Sequence, residues 1–324
     1  MGTVLGRQAD GMNAVKTQEI PAERSSCGDA ATVEPIRLSG GWSGRVVTRI
    51  GEDEVLTIGR WEALLAAVVS APEGLPGFEM LKSSKAGSVF AVVVDAPRGA
   101  RRVICKCSRP RGPWRRAGAM IRASRARKNW DRGAELLAAG IATPQPLALL
   151  ERKGWGGADW LITEAIEDVV DLDQVALALL PRQDDRQRAG VKARLGAEIA
   201  KLFVALDRAN LHHRDLKASN ILLTAWDGST PRVWLVDLDG LTMSKRGEAG
   251  LRRQRLVRLA ASLAGYSTAT RTDHARVLRA CHALLGAPAT RWRLTWRELA
   301  PLVAEYNRKA ATRKHGKLDG FSGA

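Results

Sequence analysis

The chain has 324 residues, 45% of them apolar, which is enough for one large domain or two lobes with a real core. Its formal net charge of +17 predicts an acidic partner such as nucleic acid, an anionic membrane surface or a phosphorylated substrate. The four cysteines have neither the paired spacing of a metal site nor the density of a disulfide scaffold. No apolar run reaches the length of a membrane span and no signal-peptide pattern is present, so we expect a cytoplasmic protein whose membrane contact is peripheral.

The first part of the chain is expected to be disordered. Residues 1–40 are rich in small and polar residues and have no sustained apolar periodicity. A strand is then predicted over 45–50 and a short helix over 60–70. The helix has one apolar face, formed by Trp61, Leu64, Leu65 and Val68.

Two strands, over 78–81 and 88–95, are predicted to form a hairpin joined by 82–87. The joining segment offers Lys85, Gly87 and exposed backbone amides, a combination that can cover the phosphates of a nucleotide. A full G-x-G-x-x-G is absent, and a single glycine is also typical of an ordinary turn. Lys85 and Gly87 are therefore candidate nucleotide-binding residues, with a simple turn as the alternative.

The strand predicted over 101–107 places one lysine directly after an apolar run. Val103-Ile104-Cys105-Lys106 is similar to the V-A-I-K pattern, in which the lysine ammonium contacts the α- and β-phosphates of a nucleotide. The alternative is a surface lysine on an edge strand. The position of Lys106, after a hairpin and before a helix, favours phosphate binding.

Residues 108–128 are the most basic part of the chain and contain no acidic residue. The cations are Arg109, Arg111, Arg115, Arg116, Arg122, Arg125, Arg127 and Lys128. The absence of compensating acids slightly favours contact with anionic groups over a solvated loop. A helix follows, through Trp130 and Leu136, and is predicted to end at Gly140.

Strands over 147–151 and 160–164, joined by a hairpin over 154–157, are predicted to complete a mainly antiparallel sheet. Acidic residues then cluster over 164–171, which indicates a hinge between two lobes. Glu164 begins this hinge and is a candidate nucleotide contact. The rest of the chain is predicted to be mainly helical. The predicted helices cover 172–180, 187–208, 251–263, 274–285 and 296–312.

The chemistry concentrates in His213-Arg214-Asp215-Leu216-Lys217-Ala218-Ser219-Asn220 and in Asp237. The first segment matches H-R-D-L-x-x-x-N at every specified position, and Asp237 ends an apolar run typical of a buried strand. Phosphoryl transfer requires a carboxylate that orients the attacking hydroxyl, for which Asp215 is the candidate, and oxygen ligands for magnesium, for which Asn220 and Asp237 are candidates. Lys217 offers positive charge for the moving phosphoryl group. The segment therefore predicts a phosphotransferase that uses ATP and Mg²⁺.

At this point the chain resembles the lipopolysaccharide kinase (Kdo/WaaP) family over residues 78–310. The resemblance rests on the loop above, on Val236-Asp237-Leu238-Asp239 and on Leu136-Leu137-Ala138-Ala139-Gly140-Ile141-Ala142-Thr143-Pro144. It implies an α+β, bilobal protein-kinase-like fold, with an antiparallel β-sheet N-lobe carrying one main helix and a mainly helical C-lobe. It also implies Asp215 as catalytic base, Lys106 as phosphate anchor, and Asn220 and Asp237 as magnesium ligands.

The same resemblance implies the acceptor and the domain limits. The acceptor would be a hydroxyl on a Kdo or heptose sugar of the lipopolysaccharide inner core, or a similar anionic glycan, reached at the inner face of the inner membrane. The expected division is a disordered leader over 1–40, a nucleotide-binding N-lobe over 41–166, a C-lobe with the catalytic loop and metal site over 167–312, and a flexible tail over 313–324.

Two features depart from the kinase pattern. Where a kinase helix offers the lysine a glutamate, this chain has Asn129 and, further along, Glu135, so the acid that pairs with Lys106 stays open. Asp239 stands where D-F-G has glycine. It is a candidate third metal ligand, and a strand-end acid that caps the following turn is the alternative.

Other functions also remain open. A nucleotide-binding pseudokinase is opposed by the presence of Lys106, Asp215, Asn220 and Asp237 together. A protein Ser/Thr kinase is opposed by the short segment after Gly240, which no Ala-Pro-Glu follows, whereas another small-molecule acceptor is not opposed. Nucleic acid is not the expected partner, because only the charge supports it and no reading motif is present.

Overall fold

A computed structural model describes residues 31–109, 123–152, 158–228, 230–243, 248–263, 266–288 and 290–318. Within them, a lobe built on a β-sheet is followed by a mainly helical lobe. Each lobe has its own apolar core. The α+β, bilobal architecture predicted from the sequence is confirmed.

The first lobe is built on one antiparallel sheet. Its strands are β1 (Ala31–Leu38), β2 (Trp42–Ile50), β3 (Asp53–Glu54), β4 (Glu79–Ser84), β5 (Gly87–Ala96), β6 (Gly99–Ser108), β7 (Pro146–Arg152) and β8 (Asp159–Glu164). Their order is β1-β2-β7-β8-β6-β5-β4, with β3 paired to β2. Strand β6 therefore lies inside the sheet, between β5 and β8, and the idea that Lys106 sits on an edge strand is wrong.

The sheet begins earlier in the chain than the sequence predicted. Strand β1 pairs with β2 from Ala31↔Ile50 to Leu38↔Trp42, so residues 31–38 do not belong to a disordered leader. Only Ile36 of this strand is buried, which is why apolar alternation gave no signal and backbone pairing decides the structure. Residues 1–30 lie outside the described part of the chain.

Helix α1 (Ile58–Ser70) confirms the short helix predicted over 60–70. Thr57 caps it by accepting a hydrogen bond from the backbone N–H of Arg60. The predicted apolar face is buried, and the indole N–H of Trp61 donates to the backbone oxygen of Val47 at 2.9 Å. The helix is thereby fixed to strand β2.

The hairpin of β4 and β5 has a shorter turn than predicted. Strand β4 continues to Ser84 and β5 begins at Gly87, so only Lys85 and Ala86 lie between the strands. Every residue of β4 is exposed, and its pattern could not mark the end of the strand. A Cβ on Gly87 would lie 2.0 Å from the backbone oxygen of Cys107, so β5 needs glycine where it approaches β6.

Helix α2 (Arg125–Ala138) follows the sheet's inner strand β6 in the chain. The carboxylate of Asp159 in β8 accepts a hydrogen bond from the backbone N–H of Arg125 at 3.1 Å. It thereby satisfies one of the free N–H donors in the first turn of helix α2. At the other end Gly140 has φ of 70°, and the N–H of Ile141 donates to the backbone oxygen of Leu136 at 2.8 Å. The predicted glycine end of this helix is confirmed.

The basic segment 108–128 is described only at its ends. Residues 110–122, which include Arg111, Arg115, Arg116 and Arg122, lie outside the described part, as does the hairpin predicted over 154–157. On helix α2, Arg127 forms an ion pair with Glu151 of β7. An acid distant in the sequence therefore compensates one of these cations.

The second lobe begins after the connection 165–169. The helix predicted over 172–180 is present, as consecutive turns of α type over Leu172–Gln174, π type over Val175–Leu179 and 3-10 type over Leu180–Arg182. The long helices are α3 (Asp185–Arg208), α4 (Glu248–Ser262), α5 (Arg271–Leu284) and α6 (Arg291–Leu318). The last one runs past the C-lobe limit predicted at 312. No helix among the described residues is long and apolar enough to cross a membrane.

The second lobe also contains short strands. They are β9 (Val170–Asp171), β10 (Leu211–His213), β11 (Ile221–Thr224), β12 (Arg232–Leu235) and β13 (Leu241–Met243). Strand β11 pairs with β12 and β9, and β10 pairs with β13. The N–H of Leu235 donates to the backbone oxygen of Ala142 at 2.9 Å, and the hydroxyl of Thr143 donates to that of Leu235 at 2.7 Å. Strand β12 is thus fixed to the first lobe.

A buried ion pair connects helices α3 and α4. The side chains of Asp207 and Arg255 are both 0% exposed, and the guanidinium of Arg255 donates to the Asp207 carboxylate. Arg255 also donates to the backbone oxygens of Phe203, at 3.1 Å, and of Leu211. Because Leu211 starts β10, this pair supports the strand that leads into the predicted catalytic loop.

We expect Arg255→Met to lower the free energy of unfolding by about 3–5 kcal/mol, because it leaves the Asp207 carboxylate buried without its cation. Urea denaturation followed by circular dichroism measures the change. The double variant Arg255→Met with Asp207→Leu removes both charges and should recover most of the loss. A single variant as stable as the wild type would show that the pair has no structural role.

Candidate active site

The predicted catalytic loop joins β10 to β11. His213 ends β10 and is 0% exposed, and its Nε2 lies 3.0 Å from the backbone oxygen of Asp237. Burial lowers the pKa of His213, so the ring is neutral at pH 7 and its Nε2–H donates to that oxygen. The buried histidine thereby links the loop to the backbone of Asp237.

Hydrogen bonds hold the loop 213–220 in shape and connect it to the segment 236–240. The side-chain amide of Asn220 donates to the backbone oxygen of Asp215 at 2.9 Å. The N–H of Val236 donates to the backbone oxygen of Asn220 at 3.0 Å, and the N–H of Arg214 donates to that of Gly240 at 2.9 Å. Replacing the Asp215 side chain would leave these bonds in place, because none of them involves its carboxylate.

Asp237 adopts a left-handed backbone conformation, with φ of 57° and ψ of 63°. Such a conformation costs a non-glycine residue on the order of 1–3 kcal/mol and persists where neighbouring contacts impose it. Here the contact from His213 and the pairing of β12 with β11 impose it. Strained residues of this kind are concentrated at functional sites.

Lys106 and Asp237 meet between the two lobes. The ammonium nitrogen of Lys106, on the inner strand β6, lies 3.0 Å from Oδ1 of Asp237 and 3.9 Å from Oδ2 of Asp239. Burial alone would raise the pKa of Asp237, but the charge and hydrogen bond of Lys106 outweigh it and lower that pKa below its usual value. The site therefore holds an ionised carboxylate beside an ammonium group.

Asp215 and Lys217 form the exposed part of the site. Their side chains are 67% and 45% exposed, and the ammonium nitrogen of Lys217 lies 3.5 Å from Oδ2 of Asp215. A pair this exposed adds little to stability. Its accessible carboxylate and ammonium are free to contact a substrate from solution.

The acidic partner of Lys106, which the sequence left open, does not come from helix α2 among the described residues. Glu135 pairs with Arg132 one turn earlier on the same helix. Asn129 is 5% exposed and donates through Nδ2 to Oδ1 of Asp239 at 2.5 Å. The acidic partners of Lys106 are thus Asp237 and Asp239, which sequence spacing could not indicate.

The other candidate nucleotide contacts lie on the sheet. Lys85 is exposed in the hairpin turn, and the N–H of Arg109 donates to the backbone oxygen of Ala86 at 2.8 Å, which holds the turn against the end of β6. Glu164 ends β8, where its N–H donates to the backbone oxygen of Gln145 at 3.0 Å. Among the described residues, no side-chain hydrogen bond or ion pair joins Lys85, Gly87 or Glu164 to Lys106 or Asp237, so their roles stay predictions.

These features define a protein-kinase-like fold: a sheet lobe carries an inner-strand lysine, and a helical lobe carries an H-R-D loop and a strand-end aspartate. The profile of the lipopolysaccharide kinase (Kdo/WaaP) family matches residues 115–281, and the chain belongs to this family. The resemblance of the sequence to that family is confirmed.

The solved structures that resemble the chain include the following two. "WaaP in complex with acyl carrier protein" has a TM-score of 0.54 and 24% sequence identity, over 75% of this chain and 90% of that chain, and supports the fold assignment. "ROP18 kinase domain in complex with AMP-PNP and sucrose" has a TM-score of 0.42 and 12% identity, over 79% of this chain and 91% of that one. No curated protein matches the sequence.

Proposed function

We propose that this member of the family is an ATP-dependent kinase that transfers the γ-phosphate to a hydroxyl of a Kdo or heptose sugar in the lipopolysaccharide inner core. The observation that carries the proposal is the 3.0 Å contact between Lys106 and Asp237, formed between the lobes beside the Asp215 loop. Family membership supports the class of acceptor.

In this proposal the first lobe binds the nucleotide. Lys106 leaves Asp237 to contact the α- and β-phosphates, and the hairpin turn with Lys85 and Gly87 covers the phosphates. The pairing of Val89 in β5 with Lys106 in β6 supports this arrangement, because it puts the hairpin next to the lysine strand. Glu164 contacts the nucleotide where the chain leaves β8 for the second lobe.

Asn220 and Asp237 are proposed to hold Mg²⁺. Both supply oxygen ligands, which Mg²⁺ prefers, and the ionised state of Asp237 suits a cation. The amide nitrogen of Asn220 is already engaged with the backbone of Asp215, so its oxygen is the atom available as a ligand. In the described residues no group of three His, Cys, Asp or Glu could hold a metal ion by itself, so the proposal requires phosphate oxygens and water as the remaining ligands. The bound ion would neutralise charge on the β- and γ-phosphates.

The acceptor hydroxyl is proposed to bind at Asp215 and Lys217. Asp215 orients the hydroxyl and takes its proton as the oxygen attacks the γ-phosphorus, with ADP as the leaving group. Lys217 interacts with the negative charge of the transferred phosphoryl group. The exposure of both side chains supports access for a large glycan.

A peptide acceptor is a second candidate, and the segment after Gly240 argues against it. Helix α4 begins at Glu248, shortly after Gly240, and the sequence between them and beyond has no Ala-Pro-Glu. Protein kinases place their substrate-docking segment there. A sugar acceptor needs no such segment.

The deciding experiment incubates the purified protein with γ-labelled ATP, Mg²⁺ and dephosphorylated lipopolysaccharide core. Parallel reactions contain a generic protein substrate, free Kdo or heptose, or the Asp215→Asn variant. Label in the core that depends on Asp215 supports the proposal. Label found only in the protein substrate would show that the acceptor is a protein and not a sugar. Nucleotide binding without transfer to any acceptor would identify a pseudokinase.

The basic segment is proposed to hold the enzyme at an anionic membrane surface, where a lipid-linked acceptor lies. We expect replacement of Arg111, Arg115, Arg116 and Arg122 by Gln to weaken binding to anionic vesicles and to raise KM for lipid-linked acceptor, with little effect on ATP binding. Each cation near such a surface contributes about 1 kcal/mol, screened by salt.

Vesicle sedimentation at two salt concentrations measures this effect. A matched control removes the same charge from exposed arginines of the helical lobe, by replacement of Arg182, Arg186, Arg271 and Arg279 with Gln. Equal losses in both variants would assign the binding to net charge alone. Unchanged binding in the first variant would reduce the segment to a solvated loop.

A further inference from the structure

The ammonium group of Lys106 faces two carboxylates, and the proposed function uses only one of them. Asp237 lies 3.0 Å away and is the proposed metal ligand. Oδ2 of Asp239 lies 3.9 Å away, and the side chains of Lys106 and Asp239 are only 30% and 36% exposed. When Asp237 serves a metal, Asp239 is the carboxylate within 4.0 Å that is left for Lys106 among the described residues.

Helix α2 holds the other oxygen of Asp239. Nδ2 of Asn129 donates to Oδ1 of Asp239 at 2.5 Å, and Asn129 is 5% exposed. A buried amide in this position restricts the rotation of the carboxylate and leaves Oδ2 on the side of Lys106. Helix α2 thereby orients the carboxylate of Asp239 through Asn129.

Close packing places Asn129 beside Asp239. Gly133, one turn after Asn129 on the same helix face, approaches Pro146 of β7 so closely that a Cβ would lie 2.6 Å from its Cγ. The same Cβ position is 3.9 Å from the side chain of Leu238, the neighbour of Asp239. Helix α2 therefore packs directly on the turn 237–240.

We infer that Asp239, oriented by Asn129, is the positioning residue of Lys106 and takes the role that a glutamate on this helix has in protein kinases. This inference rests on the proposed nucleotide site. It replaces the sequence-based prediction of Asp239 as a metal ligand. In this chain the acid lies in the turn after Asp237, and the helix supplies an amide that orients it.

The test measures the affinity of a non-hydrolysable ATP analogue by titration calorimetry, at the Mg²⁺ concentration that just saturates the wild type and at a higher one. Asp239→Asn keeps the shape of the side chain and can still accept a hydrogen bond from Asn129, but it removes the charge. We expect it to weaken nucleotide binding by about tenfold, as the loss of one charge interaction does. The same variant should raise KM for ATP and leave KM for the acceptor unchanged.

An isosteric exchange provides the control. Asn129→Asp combined with Asp239→Asn returns one carboxylate to the pair, now on the helix, and should restore most of the nucleotide affinity. A purely structural role predicts that Asp239→Asn alone binds the nucleotide like the wild type, and that result overturns the inference. A metal-ligand role predicts a loss that more Mg²⁺ overcomes and the exchange does not restore, which also overturns it.

Failure of the proposed function is distinguishable from failure of this inference. If the wild-type protein binds nucleotide but phosphorylates no core sugar, the proposed acceptor is refuted. The nucleotide affinities of the wild type, of Asp239→Asn and of the double variant still decide the role of Asp239. Wild-type protein that binds no nucleotide refutes both.

Discussion

Replacement of Asp215 by asparagine is expected to lower kcat by about two to four orders of magnitude and to leave the affinity for ATP nearly unchanged. The carboxylate is 67% exposed and contacts only Lys217 among the described side chains, so its loss should not disturb the fold. Its backbone oxygen, which accepts from Asn220, is kept in the variant. Single-turnover kinetics with labelled ATP and core acceptor measure the rate.

Lys106→Met provides the contrast to the Asp215 variant. It removes the cation that faces Asp237 and Asp239, so we expect weaker nucleotide binding as well as slower transfer. Nucleotide affinity from calorimetry therefore separates the two variants. Equal loss of affinity in both would show that Asp215 has a structural role instead of a catalytic one.

Asp237→Asn is expected to reduce turnover by about three orders of magnitude or more, because a metal ion contributes several kcal/mol of charge stabilisation in the transition state. The lowered pKa of Asp237 means that the wild-type carboxylate is ionised at neutral pH, and the amide removes that charge. The rate is measured over a range of Mg²⁺ concentrations.

A matched control for this variant is Asp227→Asn, which removes an exposed carboxylate from the turn between β11 and β12 and should leave the rate unchanged. Thermal unfolding of both variants excludes a loss of fold. Transfer at the wild-type rate by Asp237→Asn in Mg²⁺ would show that the metal site lies elsewhere.

Much of the candidate site was predictable from the sequence, because its residues lie in short contiguous patterns. The H-R-D segment with Asn220 is such a pattern, and Asp237 lies two residues after a strand whose apolar residues mark it. Lys106 likewise follows its own apolar run. The bilobal order of a sheet and then helices also follows from local periodicity, since the pattern of each element depends only on neighbours in the chain.

The tertiary structure alone decided which of these groups become partners. Asn129 reaches Asp239 from 110 positions away, and Arg255 reaches Asp207 from 48. Strand β1 and the end of β4 escaped prediction for a related reason, because their exposed side chains carry no alternation and their order comes from pairing with another strand. Local sequence determined which charged and polar groups the site contains. Their pairing depends on how the two lobes pack, and a charge interacts with whichever group that packing brings within a few ångströms.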